Sequence, residues 1–162
     1  MKAEVPNPRE ALSKETRAAL RRQRDGFQRY LRILDQQRRA LEGREVARYR
    51  AHAELEAAAV REIAALAKVI GSLRRLGRVN DARADARADA EPGTGPDPEA
   101  LALGEEVEEL RRQALEGNLE NRRIIDRRME AVRAEMVSLR RNIRARSPFS
   151  DIGVPTRVDL RT

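Results

Sequence analysis

The chain has 162 residues, of which 38% are charged, and a formal net charge of +7 at neutral pH. Two phenylalanines, two tyrosines and no tryptophan are too few large rings to fill a thick globular core. Although 40% of the residues are hydrophobic, alanine is the most frequent of them, which is typical of long, slender helices packed along narrow seams. The composition therefore indicates an all-α protein and excludes disulfides and thiolate metal sites, because cysteine is absent.

No chemical motif in the chain indicates catalysis. The single histidine, His52, has no nucleophile or carboxylate partner at a useful spacing, and no phosphate-binding glycine loop is present. No apolar run approaches the roughly 18 residues of a membrane span, and no signal-type region follows Met1. We therefore expect a cytoplasmic protein that is not an enzyme, needs no cofactor or metal and does not insert into membranes.

The first predicted helix covers about residues 9–42, after a disordered start at 1–8. Its seam repeats every seven residues, at Leu20, Phe27, Leu34 and Leu41. This spacing keeps one face against a partner helix in a left-handed bundle.

Gly43 then interrupts the heptad pattern, and a second seam restarts one residue out of phase. It predicts a second helix over about residues 44–76. A tight turn at Gly43 explains the phase shift most simply, although a single kinked helix stays open as the alternative. Helices joined so tightly must lie antiparallel, so residues 9–76 are predicted to form a helical hairpin.

Residues 77–98 are predicted to be a flexible linker. An Asp-Ala-Arg-Ala tract offers no large side chain to bury, and a stretch rich in proline and glycine follows it. Because a linker of this length can reach either end of the hairpin, it leaves the direction of the third helix open.

The third predicted helix, residues 99–145, carries an unbroken apolar stripe in steps of three and four. Two amides, Asn118 and Asn121, occupy seam positions where aliphatic residues are usual. A buried amide fixes helix register, and the same amides can also bind a peptide; register is the favoured interpretation. Ser147 and Pro148 end the helix, and residues 146–162 are predicted to be an extended tail.

The third helix is about a dozen residues longer than the others, so roughly 15–20 Å of its stripe has no partner within the hairpin. We expect its C-terminal end to be an interface, because methionine adapts to partners of many shapes. The alternative is that these residues close the core or a homodimer seam. The predicted fold is an elongated, coiled-coil-like three-helix bundle with a long third helix. The interface residues are Met129, Val132, Met136, Leu139 and Ile143.

Two segments of the chain resemble the FlgN family of bacterial flagellar export chaperones. One is QRRALEGRE at residues 37–45, between the first two helices, and the other is LEGNLENRRII at residues 115–125. The second contains an Asn-x-x-Asn pair, Asn118 and Asn121, that is similar to the family's third-helix motif. The step from Phe149 to Gly153 matches the aromatic-x-x-x-Gly step that follows that helix in the family.

The resemblance covers about residues 9–76 and 99–153 and implies a function. Such chaperones bind the C-terminal segments of the hook-filament junction proteins, prevent their premature assembly, and deliver them to the cytoplasmic domain of the type III export gate. Gate docking is implied at Phe149, although the family usually has tyrosine there. Client binding is implied on the third helix, at Asn118, Asn121, Ile125, Met129, Val132, Met136, Leu139 and Ile143.

Two other classes of function remain open on the sequence. A structural coiled-coil homodimer or scaffold would show the same seams. A basic nucleic-acid-binding protein is disfavoured, because 31 of the 34 basic residues are arginines interleaved with acids, without aromatic platforms for base stacking.

Overall fold

The computed structural model describes residues 8–86 and 97–145, and these ranges form three helices and no strand. Helix α1 spans Pro8–Glu42, α2 spans Val46–Ala86 and α3 spans Pro98–Ala145. The predicted all-α class and helical bundle are confirmed. The chain divides into two compact units, one ending at Arg122 and the other beginning at Arg123. The predicted tail at 146–162 lies outside the described residues.

The seven-residue repeat of α1 lines the core of the first unit, as its spacing predicts. Leu20, Phe27, Leu34 and Leu41 are all buried, and Leu20 retains only 1% of its accessible surface. Each of the other two helices adds a narrow strip of small and aliphatic side chains, which suits a slender bundle. These residues are Ala59, Ile63 and Ile70 of α2 and Leu103, Val107 and Ala114 of α3.

Helices α1 and α2 are antiparallel. The side chain of Leu12, near the start of α1, lies over Gly77, near the end of α2. At the other end, Gln37 donates a hydrogen bond of 2.6 Å to Glu56. These contacts require a reversal of the chain between α1 and α2 and exclude a single kinked helix.

Helix α3 runs parallel to α1, a direction that the sequence left open. Ser13, near the start of α1, hydrogen-bonds to Asp97 just before α3, and near the end of α1 Gln37 accepts a hydrogen bond from Asn121. The first unit is therefore an up-down-up three-helix bundle. Gly77 of α2 and Asp97 both lie against the start of α1, so α2 ends and α3 begins at the same end of this unit.

The turn between α1 and α2 ends α1 with two hydrogen bonds characteristic of a Schellman motif. The amide of Glu45 donates to the carbonyl of Ala40 at 2.9 Å, and the amide of Arg44 donates to Leu41 at 3.2 Å. The residue in the left-handed conformation is Arg44, with φ of 60°, and not the neighbouring Gly43. A side chain in this region is strained by about 1 kcal/mol.

Replacing Arg44 with glycine is therefore expected to stabilise the protein by about 1 kcal/mol, because glycine adopts positive φ without a steric cost. Thermal or urea unfolding followed by circular dichroism measures the change. Gly43→Ala is the matched control and is expected to destabilise, because a Cβ at Gly43 would lie 3.3 Å from the Arg39 carbonyl oxygen. Unchanged stability in Arg44→Gly would contradict the strain assigned to Arg44.

Helix α2 ends at Ala86, later than the predicted end near residue 76. The additional turns include residues 81–86, the first part of the Asp-Ala-Arg-Ala tract that the linker prediction assigned to residues 77–98. Alanine has the highest helix propensity of all residues, and α2 already provides the nucleus from which helix extends. Residues 87–96 of the predicted linker lie outside the described residues. No described helix is both long enough and apolar enough to cross a bilayer.

Asp97 caps the N-terminus of α3. One carboxylate oxygen accepts hydrogen bonds from the backbone amides of Glu99, at 3.0 Å, and Ala100, at 3.2 Å. The Ser13 hydroxyl, the Ala100 amide and the nearby Arg17 guanidinium together hold the pKa of Asp97 below its usual value. The cap thus fastens the start of α3 to α1.

A depressed carboxylate pKa makes stability depend on pH in one direction. The ionised Asp97 contributes stability above its unfolded pKa of about 3.9, and this contribution is lost as the pH falls through the lower pKa of the folded state. Asp97→Asn keeps a capping oxygen but removes the charge. We expect it to be about 0.5 kcal/mol less stable than the original chain at pH 7 and equally stable near pH 2. Urea unfolding at both pH values tests this, and a difference that persists at low pH would contradict it.

Candidate partner-binding surface on α3

The C-terminal part of α3 carries an exposed apolar stripe. Its members are 49–69% exposed, and every described side chain from residue 129 to residue 143 is classed as exposed. We call this surface the open stripe. It consists of Met129, Val132, Met136, Leu139 and Ile143.

The spacing of the open stripe is that of a helix seam. Met129, Met136 and Ile143 recur every seven residues, and Val132 and Leu139 follow the first two at a step of three. In a coiled coil these sets occupy the a and d positions, which insert into a partner helix. The open stripe therefore has the spacing of a helix seam, but its side chains are exposed and not buried.

Earlier in the same helix, a set of positions with the same seven-residue spacing, one residue out of phase with Met129, is buried. Val107 is 5% exposed, Ala114 is 3% exposed and Asn121 is 5% exposed, all against the core of the first unit. Ile125 is partly buried. Within α3 the stripe thus continues in steps of three and four, with a shift of one residue in its heptad register, while its side chains change from buried to exposed between residues 121 and 129.

The two predicted amides lie inside the first unit. Asn121 donates a hydrogen bond of 3.0 Å to the backbone carbonyl of Leu34 and one of 3.3 Å to the side-chain carbonyl of Gln37. Asn118 donates to the Tyr30 hydroxyl at 3.2 Å and to the Glu56 carboxylate at 3.3 Å.

Glu56 is the centre of this polar layer. In addition to Asn118, it accepts hydrogen bonds from the Tyr30 hydroxyl at 3.1 Å and from the Gln37 amide at 2.6 Å. Burial raises the pKa of the Tyr30 phenol, so it remains a neutral donor. Because the layer joins all three helices, sliding one helix by a turn would leave several buried donors without acceptors. This geometry favours the register interpretation of Asn118 and Asn121.

The sequence prediction did not include the partners of these two asparagines, although a pattern in α1 points to them. Gln23, Tyr30 and Gln37 recur every seven residues, three positions after Leu20, Phe27 and Leu34 respectively. A seam that alternates apolar and polar positions in this way predicts a layer of hydrogen bonds in the core. Gln23 and Gln37 are indeed 8% and 2% exposed.

Comparison with protein-family models, with curated proteins and with solved structures found no match for this chain. The chemistry of the open stripe is therefore the basis for assigning a function. Two of its properties matter, namely apolar side chains at seam spacing and their accessibility to a partner.

Two other residues singled out in the sequence are not part of the open stripe. His52 is half-buried in α2, and its Nδ1 atom has no hydrogen-bond partner within the described ranges. Phe149, the predicted gate-docking residue, lies outside the described residues, so its role stays a prediction.

Proposed function

We propose that this chain is a cytoplasmic chaperone of flagellar type III export, which binds the C-terminal segments of hook-filament junction proteins through the open stripe. The observation that supports this most strongly is a row of five exposed apolar side chains at seam spacing. An apolar helix face of this kind is the usual receptor for an amphipathic helix.

The role of the surface follows from the physics of coupled folding. A terminal segment that is unfolded alone becomes helical when its apolar face packs against a preformed helix. The chaperone then covers the surface that the client uses for assembly. Ordering the client costs a few kcal/mol of the interaction energy, so binding is moderate and reversible, as handover to an export gate requires.

The residues that we propose to bind the client belong to the second unit. The side-chain amide groups of Asn118 and Asn121 donate their hydrogen bonds to other residues of the bundle. We therefore assign client contact to the α3 residues from Ile125 onward. Docking to the cytoplasmic domain of the export gate is assigned to Phe149 on the resemblance to the FlgN family.

Isothermal titration calorimetry of the full chain against C-terminal peptides of the junction proteins from the same genome tests the proposal. We expect saturable binding to at least one of these peptides and none to N-terminal peptides of equal length. Absence of binding to every C-terminal peptide would refute the proposed function.

Light scattering distinguishes the chaperone from a structural homodimer, which would use the same stripe as its own seam. For a chaperone, the measured molar mass is expected to rise by the mass of one client peptide for each binding site when peptide is added. A tight dimer whose mass does not change with peptide would favour the structural alternative.

A further inference from the structure

One edge of the open stripe is lined by arginine. Arg133 and Arg140 directly follow Val132 and Leu139, the two d positions, and so occupy consecutive e positions of the heptad. Both side chains are exposed. In coiled coils the e and g positions flank the seam and set partner choice by charge.

Neither Arg133 nor Arg140 has a carboxylate partner within the described ranges. In the first unit, by contrast, many arginines form ion pairs with carboxylates. Arg29 lies 2.8 Å from Glu62, and Arg112 lies 2.7 Å from Glu109. Among the described residues, no carboxylate thus compensates the charge of Arg133 or Arg140.

The charge of this region also opposes self-association through the stripe. Residues 122–145 contain eight arginines and three acidic residues, Asp126, Glu130 and Glu135. Two copies paired stripe to stripe would bring these positive segments together, and like charges across a seam are unfavourable. A partner of opposite charge avoids this penalty.

We propose that the partner of the open stripe is an amphipathic helix with carboxylates along the edge that faces Arg133 and Arg140. This inference rests on the proposed function and adds the chemical class of its client. The apolar seam supplies most of the affinity, while the two arginines select acidic partners and increase the rate of association.

Two designed peptides of three heptads test the selection directly. They share one apolar seam and differ only at the flanking positions, which are all glutamate in one peptide and all lysine in the other. With the full chain, fluorescence anisotropy is expected to show about tenfold tighter binding of the glutamate peptide. The preference is expected to shrink as the salt concentration is raised from about 0.05 M to about 0.5 M.

Arg140→Glu is expected to reduce the preference for the glutamate peptide at least threefold. Arg141→Glu is the matched control, because it makes the same charge change one residue further along and away from the stripe edge. It is expected to leave most of the preference intact. Equal effects of the two substitutions would show that only net charge matters and would overturn the proposal.

The remaining outcomes separate this inference from the proposed function. Equal affinity for the two designed peptides, together with binding of a junction-protein peptide, would overturn the acidic-edge proposal and leave the chaperone function standing. Failure of the designed and junction-protein peptides alike would refute both. If a single-stranded oligonucleotide binds and Arg140→Glu abolishes that binding but no peptide preference is seen, the arginines serve nucleic acid and the proposal is wrong.

Discussion

Replacing Val132 and Met136 together with aspartate is expected to abolish client-peptide binding and to leave the helical fold intact. The two side chains are 54% and 49% exposed, so their loss opens no cavity in the described core. Burying each of them against a client would contribute about 1.5–3 kcal/mol, and an unpaired carboxylate at the interface costs more. The affinity is therefore expected to fall by more than about a hundredfold.

Calorimetry measures this loss, and circular dichroism checks that helicity is retained. Val137→Asp is the control, because Val137 is 48% exposed and follows Met136 directly but is not part of the open stripe. It is expected to bind the client almost as the original chain does. Unfolding of the double variant would show instead that Val132 and Met136 are core residues.

Replacing Asn121 with leucine is expected to destabilise the bundle by about 2 kcal/mol. The substitution removes two hydrogen bonds and leaves the buried side-chain carbonyl of Gln37 without its donor. Introducing Gln37→Leu in the same chain is expected to recover at least half of the loss, because both partners are then apolar. Glu56 keeps the donors Tyr30 and Asn118 in this double variant.

Urea unfolding measures both variants, and the same proteins test the role of Asn121 in binding. If Asn121 only fixes the register of the helices, the folded Asn121→Leu chain binds client peptide with unchanged affinity. A large loss of affinity in a chain that remains folded would show that Asn121 contacts the client. A double variant less stable than the single one would contradict the hydrogen-bond account.

The parts of the fold that depend on local pattern could be predicted from the sequence. The heptad from Leu20 to Leu41 predicted the buried face of α1, and the phase shift at Gly43 predicted the turn. The cap at Asp97 was not predicted, although Asp97-Pro98 is a typical helix start, with a capping carboxylate followed by proline in the first turn.

Other parts depend on contacts that no local pattern encodes. The direction of α3 follows from the way Asn121 meets Gln37 and Asp97 meets Ser13, pairs that are distant in sequence. The residue that takes the left-handed conformation at the turn is Arg44, although glycine propensity alone would favour Gly43.

The position of the candidate surface could be predicted from the sequence, but whether its side chains are buried or exposed could not. Periodicity identified Met129 to Ile143 as a seam, because the spacing is the same whether the residues are buried or exposed. Only the structure separates the two, by placing Asn121 in the core and leaving Met129 accessible. Asn118 and Asn121 are likewise explained only together with their hydrogen-bond partners Tyr30 and Gln37, which recur at a seven-residue spacing in α1.

Hydrogen–deuterium exchange of the full chain, with and without a junction-protein peptide, tests the central claim most directly. Binding at the open stripe is expected to slow amide exchange across residues 129–143, because the client helix holds this part of α3 closed. Exchange in the core of the first unit, around Leu20 and Ala114, is expected to change little. Protection confined to residues 8–122, despite measurable binding, would place the client elsewhere and contradict the account.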